Sequence, residues 1–412
     1  MIHSFKAKNF YSIGDEIEVS LESRKISIQS PELYFDAPLN KKITKIEFIG
    51  GKNASGKTNI LRILAFLRYF IIDSVVHSKN GTEIPFHAFV PTRNKPTRLE
   101  VTFSMEDTNI FCYAIELDVN KVIDEKLEKT YFKSQRRATT TVFHRQWSDD
   151  TNEYIVELSD DLPLIKQLTQ VGSLLNTNRR ASFISILSNF DDPENGVLNN
   201  ITEYWNGVIS NAMQFGSTES ELSLTDFAMK ILQEIYEDEG FRNELSSMLR
   251  KYDIGFSDIA KKEKMGPNQD QTMYGISHKY KNSQFSMSLH TESNGTKRII
   301  ILMRHILAAL SMGGVAVIDE IDAFLHPDIF DDIVEMFMST KLNKNNAQLI
   351  FSAHNYTILS RLDKQQITLS DKDENGQTEV WRLDEMKGMR PDDNFYTKYL
   401  TGAYGAKPKI GN

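Results

Sequence analysis

Cysteine is all but absent from this chain of 412 residues, Cys112 being the only one. A single thiol excludes an internal disulfide and any zinc site built from several cysteines, so a reducing, cytoplasmic setting is expected. Long hydrophobic runs are missing too. The two most apolar stretches are broken by charge, residues 60–76 by Arg62, Arg68 and Asp73, and residues 299–318 by Arg304 and, at neutral pH, the polar His305. Both read as buried helices and strands, and no membrane association is expected. The opening MIHSFKAKNFYSIGDEIEV lacks the continuous apolar core of a signal peptide, so none is expected. Positive charge is not in excess: the formal net charge is −8 and the pI about 5.7. Any contact with nucleic acid would therefore need a local patch. No fixed-period repeat or low-complexity tract is present.

What is present is concentrated in a few stretches. Residues 46–64 read IEFIGGKNASGKTNILRIL. Ile46 to Ile49 suit a buried strand, Gly50 and Gly51 break it, and a helix begins near Lys57. Between strand and helix, Gly51, Lys52, Asn53, Ala54, Ser55, Gly56, Lys57 and Thr58, followed by Asn59, form a complete P-loop. Its glycines let successive amide N–H groups face phosphate oxygens, and the helix N-terminus adds partial positive charge. Lys57 would reach the β- and γ-phosphates and the Thr58 hydroxyl would hold Mg²⁺, so ATP with magnesium is the expected ligand. The helix after the loop carries Ile60, Ile63, Leu64, Leu67 and Ile71 at the spacing of one buried face.

Far downstream, Val315 to Ile318 form an apolar strand that ends in Asp319 and Glu320. Asp319 fits a magnesium ligand, and Glu320 fits the base that positions or deprotonates an attacking water. Phe351-Ser352-Ala353-His354-Asn355 follows another apolar strand, with His354 as a third candidate catalytic group beside Glu320 and Lys57. Before the Asp-Glu pair, Glu292 to Arg298 (ESNGTKR) open a helix, where Ser293 and Gly295 would offer a hydroxyl and a backbone N–H to an anion.

The rest of the chain reads as α/β. Residues 1–50 suggest alternating strands at 2–10 and 17–21. Residues 97–158 suggest four or five short strands of an antiparallel sheet, and residues 162–265 are mostly helical by period, most clearly at 221–249. Strands return near 274–289. The expected organisation is an N-terminal lobe 1–160 with P-loop and antiparallel β subdomain, a helical insertion 161–265, and a C-terminal lobe 266–412. Lys133, Arg136, Arg137 and Arg145 lie in a stretch without acidic residues that could form a phosphate-contacting strip, although such a run is more often a charged, solvated sheet edge.

Lys57 and Asp319 stand 262 positions apart. A large insertion between these two motifs, with a signature sequence just before the second, resembles the ABC and SMC-like ATPases rather than ring-forming AAA+ ATPases. Residues 319–327 (DEIDAFLHP) are similar to the SMC-type continuation with its D-loop, His326 replacing the usual Asp, and His354 resembles the switch histidine that contacts the γ-phosphate. Residues 398–408 (KYLTGAYGAKP) resemble the closing motif of prokaryotic AAA-family ATP-binding proteins related to OLD and RecF, and Lys8 to Ser12 and Tyr252 to Gly255 share in the likeness. The resemblance implies an ABC/SMC-type head with a mixed central sheet, and a homodimer whose composite ATP sites pair the P-loop of one subunit with Ser293 and Gly295 of the other. It also implies a role as sensor or regulator in an anti-phage defence locus, controlling a separate toxin or nuclease effector. The alternative is a RecF/SMC-like DNA repair or recombination ATPase that binds DNA directly. Only 58 residues follow His354, too few for the TOPRIM nuclease domain of OLD-type proteins.

Overall fold

The computed structural model describes the chain except residues 25–30, 79–81, 106–107, 163–170, 189–195, 213–222, 253–254, 265–270, 282, 324, 389, 391–392 and 408–412. It divides into two compact units, one of Met1–Gly216, Ala309–Glu320 and Val334–Asn412, the other of Ser217–Ala308 and Ile321–Ile333. Among the described residues no helix is long and apolar enough to cross a membrane.

In chain order the first unit begins with strands β1 (Ile2–Lys8), β2 (Ile17–Ser20), β3 (Tyr34–Ala37), β4 (Lys41–Thr44) and β5 (Ile46–Gly50), then helices α1 (Lys57–Ile72) and α2 (Ser74–Ser78). There follow β6 (Thr97–Phe103), β7 (Ile110–Leu117), β8 (Val122–Lys133), β9 (Arg136–Ser148) and β10 (Glu153–Leu158). Where four or five strands are expected between 97 and 158, five are present. They join β1 and β2 in an antiparallel sheet of order β10-β9-β8-β7-β6-β1-β2, and the alternation of buried and half-exposed residues along β6 and β7 turns one face to the core.

Helices α3 (Val171–Thr177), α4 (Phe183–Leu187) and α5 (Gly196–Asn206) and strand β11 (Val208–Ser210) also belong to this unit. The sequence assigns them to a separate helical insertion, 161–265. Instead, Phe183, Ile184, Leu198, Ile201 and Trp205 are buried in the same core as α1, and β11 pairs in parallel with β15 (Val315–Ile318). Helical period shows where a helix forms but not which sheet it covers.

The second sheet is mixed, as expected. Its order is β11-β15-β16-β5-β17-β18, with β16 at Gln348–Ser352, β17 at Ile367–Lys372 and β18 at Thr378–Arg382; all neighbours run parallel except β17 and β18. Strand β5 is buried at every residue. Helix α1 touches β1, β15 and β16 as well as α4 and α5, and buries Leu61, Phe66, Tyr69 and Phe70 besides the single face read from the sequence. A helix apolar almost all round is what such a position requires.

In the second unit the periodic stretch 221–249, of which residues 221 and 222 lie outside the described residues, forms two helices, α6 (Leu224–Glu237) and α7 (Glu239–Lys251). The break is chemical: Asp238 is extended, and its carboxylate accepts a hydrogen bond from Phe241 N–H at 2.9 Å, capping α7. Strands β12 (Phe256–Lys264), β13 (Gln271–Tyr280) and β14 (Ser283–Ser288) form an antiparallel sheet, so β-structure returns earlier than position 274. Helices α8 (Asn294–Met312) and α9 (Pro327–Met338) complete the regular elements before α10 (Phe395–Leu400) near the end of the described chain.

Candidate functional site

Three adjacent parallel strands, β15, β16 and β5, end on the same edge of the mixed sheet, where ligands of open α/β sheets gather. Their carboxyl ends carry Asp319 and Glu320, Ser352 to His354, and the P-loop. A cleft of about 420 Å³ is lined there by Asn53, Ala54, Ser55, Gly56, Lys57, Thr58, Asn59, Asp319, Glu320 and His354, together with Ser12 and Lys372.

The loop needs its glycines where it bends. Gly51 has φ +146° and a Cβ there would lie 2.2 Å from the Ser370 carbonyl oxygen; Gly56 has φ +109° and a Cβ would lie 2.2 Å from Thr378 Oγ1. Ser55 is buried and its Oγ lies 2.8 Å from Ser370 Oγ, tying the loop to β17. Lys57, the first residue of α1, is also buried, and its Nζ donates to the carbonyls of Gly51 at 2.8 Å and Lys52 at 3.1 Å. The side chain thus lies back along the loop.

Thr58 Oγ1 donates to Asp319 Oδ2 at 2.7 Å, and Ser352 Oγ donates to Asp319 Oδ1 at 2.5 Å. Asn211, just beyond β11, brackets the same residue: its Nδ2 donates to Asp319 O at 3.1 Å and its Oδ1 accepts from Asp319 N at 2.7 Å. Glu320 adopts φ +49°, a left-handed conformation that turns it out of the strand direction, and its N–H donates to Ser352 Oγ at 2.8 Å. Its Oε1 lies 3.3 Å from His354 Nε2, both side chains being about half exposed. Lys372, at the end of β17, donates from Nζ to Thr378 Oγ1 at 2.9 Å, and burial lowers its ammonium pKa below the ordinary value. Asn59 Nδ2 donates to Ser12 Oγ at 2.7 Å, which links α1 to the segment Lys8–Ser12.

The structure therefore brings together Gly51 to Asn59, Asp319, Glu320 and His354. Ser293 and Gly295 belong to the second unit, at the start of α8. Ser293 is exposed and its Oγ accepts from Thr296 N at 3.0 Å, so it caps that helix. Beside it, Glu292 Oε1 lies 2.7 Å from His278 Nε2, whose Nδ1 lies 2.9 Å from the Gly255 carbonyl oxygen, joining the signature stretch to the end of 252–255; Asp253 and Ile254 lie outside the described residues, as does Phe324 of the D-loop. The basic strip is corrected. Arg145 is fully buried, with Nε 2.6 Å from Glu125 Oε2, while Lys133, Arg136 and Arg137 are exposed around the β8–β9 turn. Arg145 is hidden because its partner Glu125 comes from the neighbouring strand, beyond the charge-free window. Sequence reasoning also missed Ser352, although it stands two residues before His354, and Asn211, which has no local signature.

Strand, P-loop, helix and a carboxylate pair at the ends of parallel strands define a P-loop ATPase domain. The chain belongs to the family described as "AAA domain, putative AbiEii toxin, Type IV TA system", whose model matches residues 48–360. Among solved structures it is similar to the SMC head domain from Thermotoga maritima (12% identity, 93% of this chain and 98% of that one, TM-score 0.38). It is also similar to UvrA2 from Deinococcus radiodurans (13% identity, 57% and 30%, TM-score 0.22). No curated protein matches the sequence.

Proposed function

We propose that the chain binds and hydrolyses ATP as a homodimer and acts as the regulatory ATPase of a prokaryotic anti-phage system, controlling a separate toxin or nuclease effector. The observation that carries the ATPase reading is the convergence of P-loop, Asp319, Glu320 and His354 on one cleft. The Thr58 hydroxyl and Asp319 carboxylate, 2.7 Å apart, are hard oxygen donors of the kind that fit Mg²⁺, an ion otherwise held by phosphate oxygens and water. When bound, the ion would supply charge neutralisation at the phosphates. Ser352 and Asn211 hold the Asp319 carboxylate and backbone in place. The loop amides and Lys57 orient the phosphates, and Glu320 orients the attacking water and takes its proton, with His354 beside it.

The dimer is supported by the signature stretch, where exposed Ser293 and the N-terminus of α8 offer an anion-binding end to another subunit. The defence setting is supported by the toxin and type IV system named in the family description. One observation favours the second reading, direct DNA contact: Lys133, Arg136 and Arg137 are exposed beside Phe132, itself 46% exposed.

Lys57→Ala should abolish ATP binding, whereas Glu320→Gln should bind ATP with near wild-type affinity and lose turnover, because Lys57 contacts ground-state phosphates and Glu320 acts on the water. Binding of labelled ATP and phosphate release check both. Equal loss of affinity in the two variants would contradict the roles.

A further inference from the structure

Residues 395–406 do not line the nucleotide cleft, but their packing ties them to the P-loop. Tyr356, just after the strand end that carries His354, sends its hydroxyl to Gly51, the first glycine of the P-loop. Gly51 N–H donates to Tyr356 Oη at 2.8 Å, and the Tyr356 O–H donates to the Gly51 carbonyl at 2.6 Å. One phenol thus spans both backbone groups of one residue. The same carbonyl accepts from Lys57 Nζ at 2.8 Å, so the oxygen that aligns the P-loop lysine is itself aligned by Tyr356.

The ring of Tyr356 is held in turn. It meets Phe48 of β5 edge to face at 5.8 Å between centroids, and on another side it stacks on Tyr399 of α10 at 4.2 Å with an interplanar angle of 12°. Tyr399 is 4% exposed and its hydroxyl donates to Ala406 O at 3.1 Å, closing the segment 395–406 on itself through left-handed Gly402 and Gly405. Asn394 caps α10 by accepting from Thr397 N at 2.9 Å.

We infer that Tyr356 is a positioning residue for the P-loop lysine, and that the closing segment around Tyr399 is the buttress that keeps it in place. Gly51 explains why a clamp is needed. Its φ of +146° is open to glycine, and glycine has the widest choice of backbone conformations, so an unclamped Gly51 carbonyl would turn and Lys57 would lose its fixed partner. The order of action runs from Tyr399 to the Tyr356 ring, to the Gly51 backbone, to Lys57 Nζ.

The inference rests on the ATP-binding reading, and the test separates the two. Tyr356→Phe keeps the ring on Tyr399 and Phe48 and removes both hydrogen bonds to Gly51, together with the hydroxyl contact to Tyr399. It should weaken ATP binding about tenfold, because Gly51 and Lys57 would then have to be ordered when the nucleotide binds, and raise KM with kcat changed less than threefold. Hydrogen exchange at the Gly51 amide should accelerate at least tenfold while amides of the antiparallel sheet keep their protection. Tyr399→Leu, which leaves the phenol of Tyr356 intact but unsupported, should weaken binding about threefold; Tyr399→Phe, which keeps the stacked ring but loses the hydroxyl that meets Tyr356 and Ala406 O, should fall between wild type and Tyr399→Leu. If wild type binds ATP and Tyr356→Phe binds it equally well with unchanged exchange at Gly51, the inference is overturned. If wild type does not bind ATP, the ATPase reading fails, and exchange at Gly51 still reports the clamp. Should Tyr356→Phe fail to fold, Tyr399→Leu decides: unchanged affinity and exchange would overturn the buttress and the clamp with it.

Discussion

Glu47 offers a measurable consequence of the way the P-loop strand is buried. It lies in β5, three residues before Gly50, with no exposed surface. Its Oε1 accepts from Thr368 Oγ1 at 2.6 Å, and among the described residues its Oε2 has no hydrogen-bond partner. Burial pushes the carboxyl up from 4.5 to about 8, against the smaller opposing pull of the Thr368 hydroxyl and the Arg382 charge. The folded chain therefore keeps a proton on Glu47 that the unfolded chain releases. Below pH 4.5 both states hold the proton and nothing is lost; between 4.5 and about 8 the unfolded state binds fewer protons, so stability falls as pH rises, and above 8 the loss is complete. At 1.36 kcal/mol per pH unit the full span amounts to about 5 kcal/mol at most.

Glu47→Gln substitutes a neutral group of the same shape that still accepts from Thr368. Urea unfolding of wild type and variant in parallel from pH 5 to pH 9 isolates this residue, because other titrating groups cancel in the difference. The variant should lie close to wild type at pH 5 and be more stable at pH 8.5 by about 3–5 kcal/mol. Two pH profiles that run parallel across that range would refute the reasoning, since Glu47 would then carry the same charge folded and unfolded.

Two further expectations can be checked directly. Arg145→Ala leaves Glu125 buried with only Tyr113 Oη at 2.6 Å and Phe183 N at 3.0 Å, so it should cost about 3–5 kcal/mol in denaturant titration and leave any salt-dependent DNA binding by the folded protein unchanged. Mixing Ser293→Arg with Lys57→Ala protein should restore part of the ATPase rate, because one composite site of the heterodimer keeps both native elements; Ser293→Arg also loses a helix cap of about 1 kcal/mol, so its folding is measured alongside.

What the sequence makes legible here is chemistry confined to short stretches. The P-loop announces itself because glycines, lysine and threonine must stand at fixed offsets between a strand and a helix, and the Asp319-Glu320 pair because an apolar strand ends in two carboxylates. The five strands of 97–158 are legible because alternation is a local pattern. Ser352, Asn211 and Tyr356 do their work at a distance in sequence, on Asp319 and Gly51, and each type is too common in strands and turns to stand out. Arg145 shows the converse failure. A window free of acidic residues looks solvated only until Glu125 is brought opposite Arg145 across the β8–β9 pairing.

The stretch 162–265 carries the largest consequence of this difference between local pattern and long-range contact. Read by period it is one helical insertion, and a deletion of 200–245 would then spare the nucleotide site. In the folded chain that cut removes Trp205 and Ile201, both without exposed surface, and strand β11, the parallel neighbour of β15. It also removes Asn211, which holds the backbone of Asp319 from both sides. A chain so cut would lose the support of its metal-ligand candidate along with any surface for a partner, and a silent phenotype would not tell the two apart. Helices α6 and α7 lie wholly in the second compact unit and bury Ile231, Leu232, Leu245 and Leu249, so only changes on their exposed faces spare the packing. If the proposed effector exists, those exposed faces are the place to test for it, with ATP binding measured as an independent control.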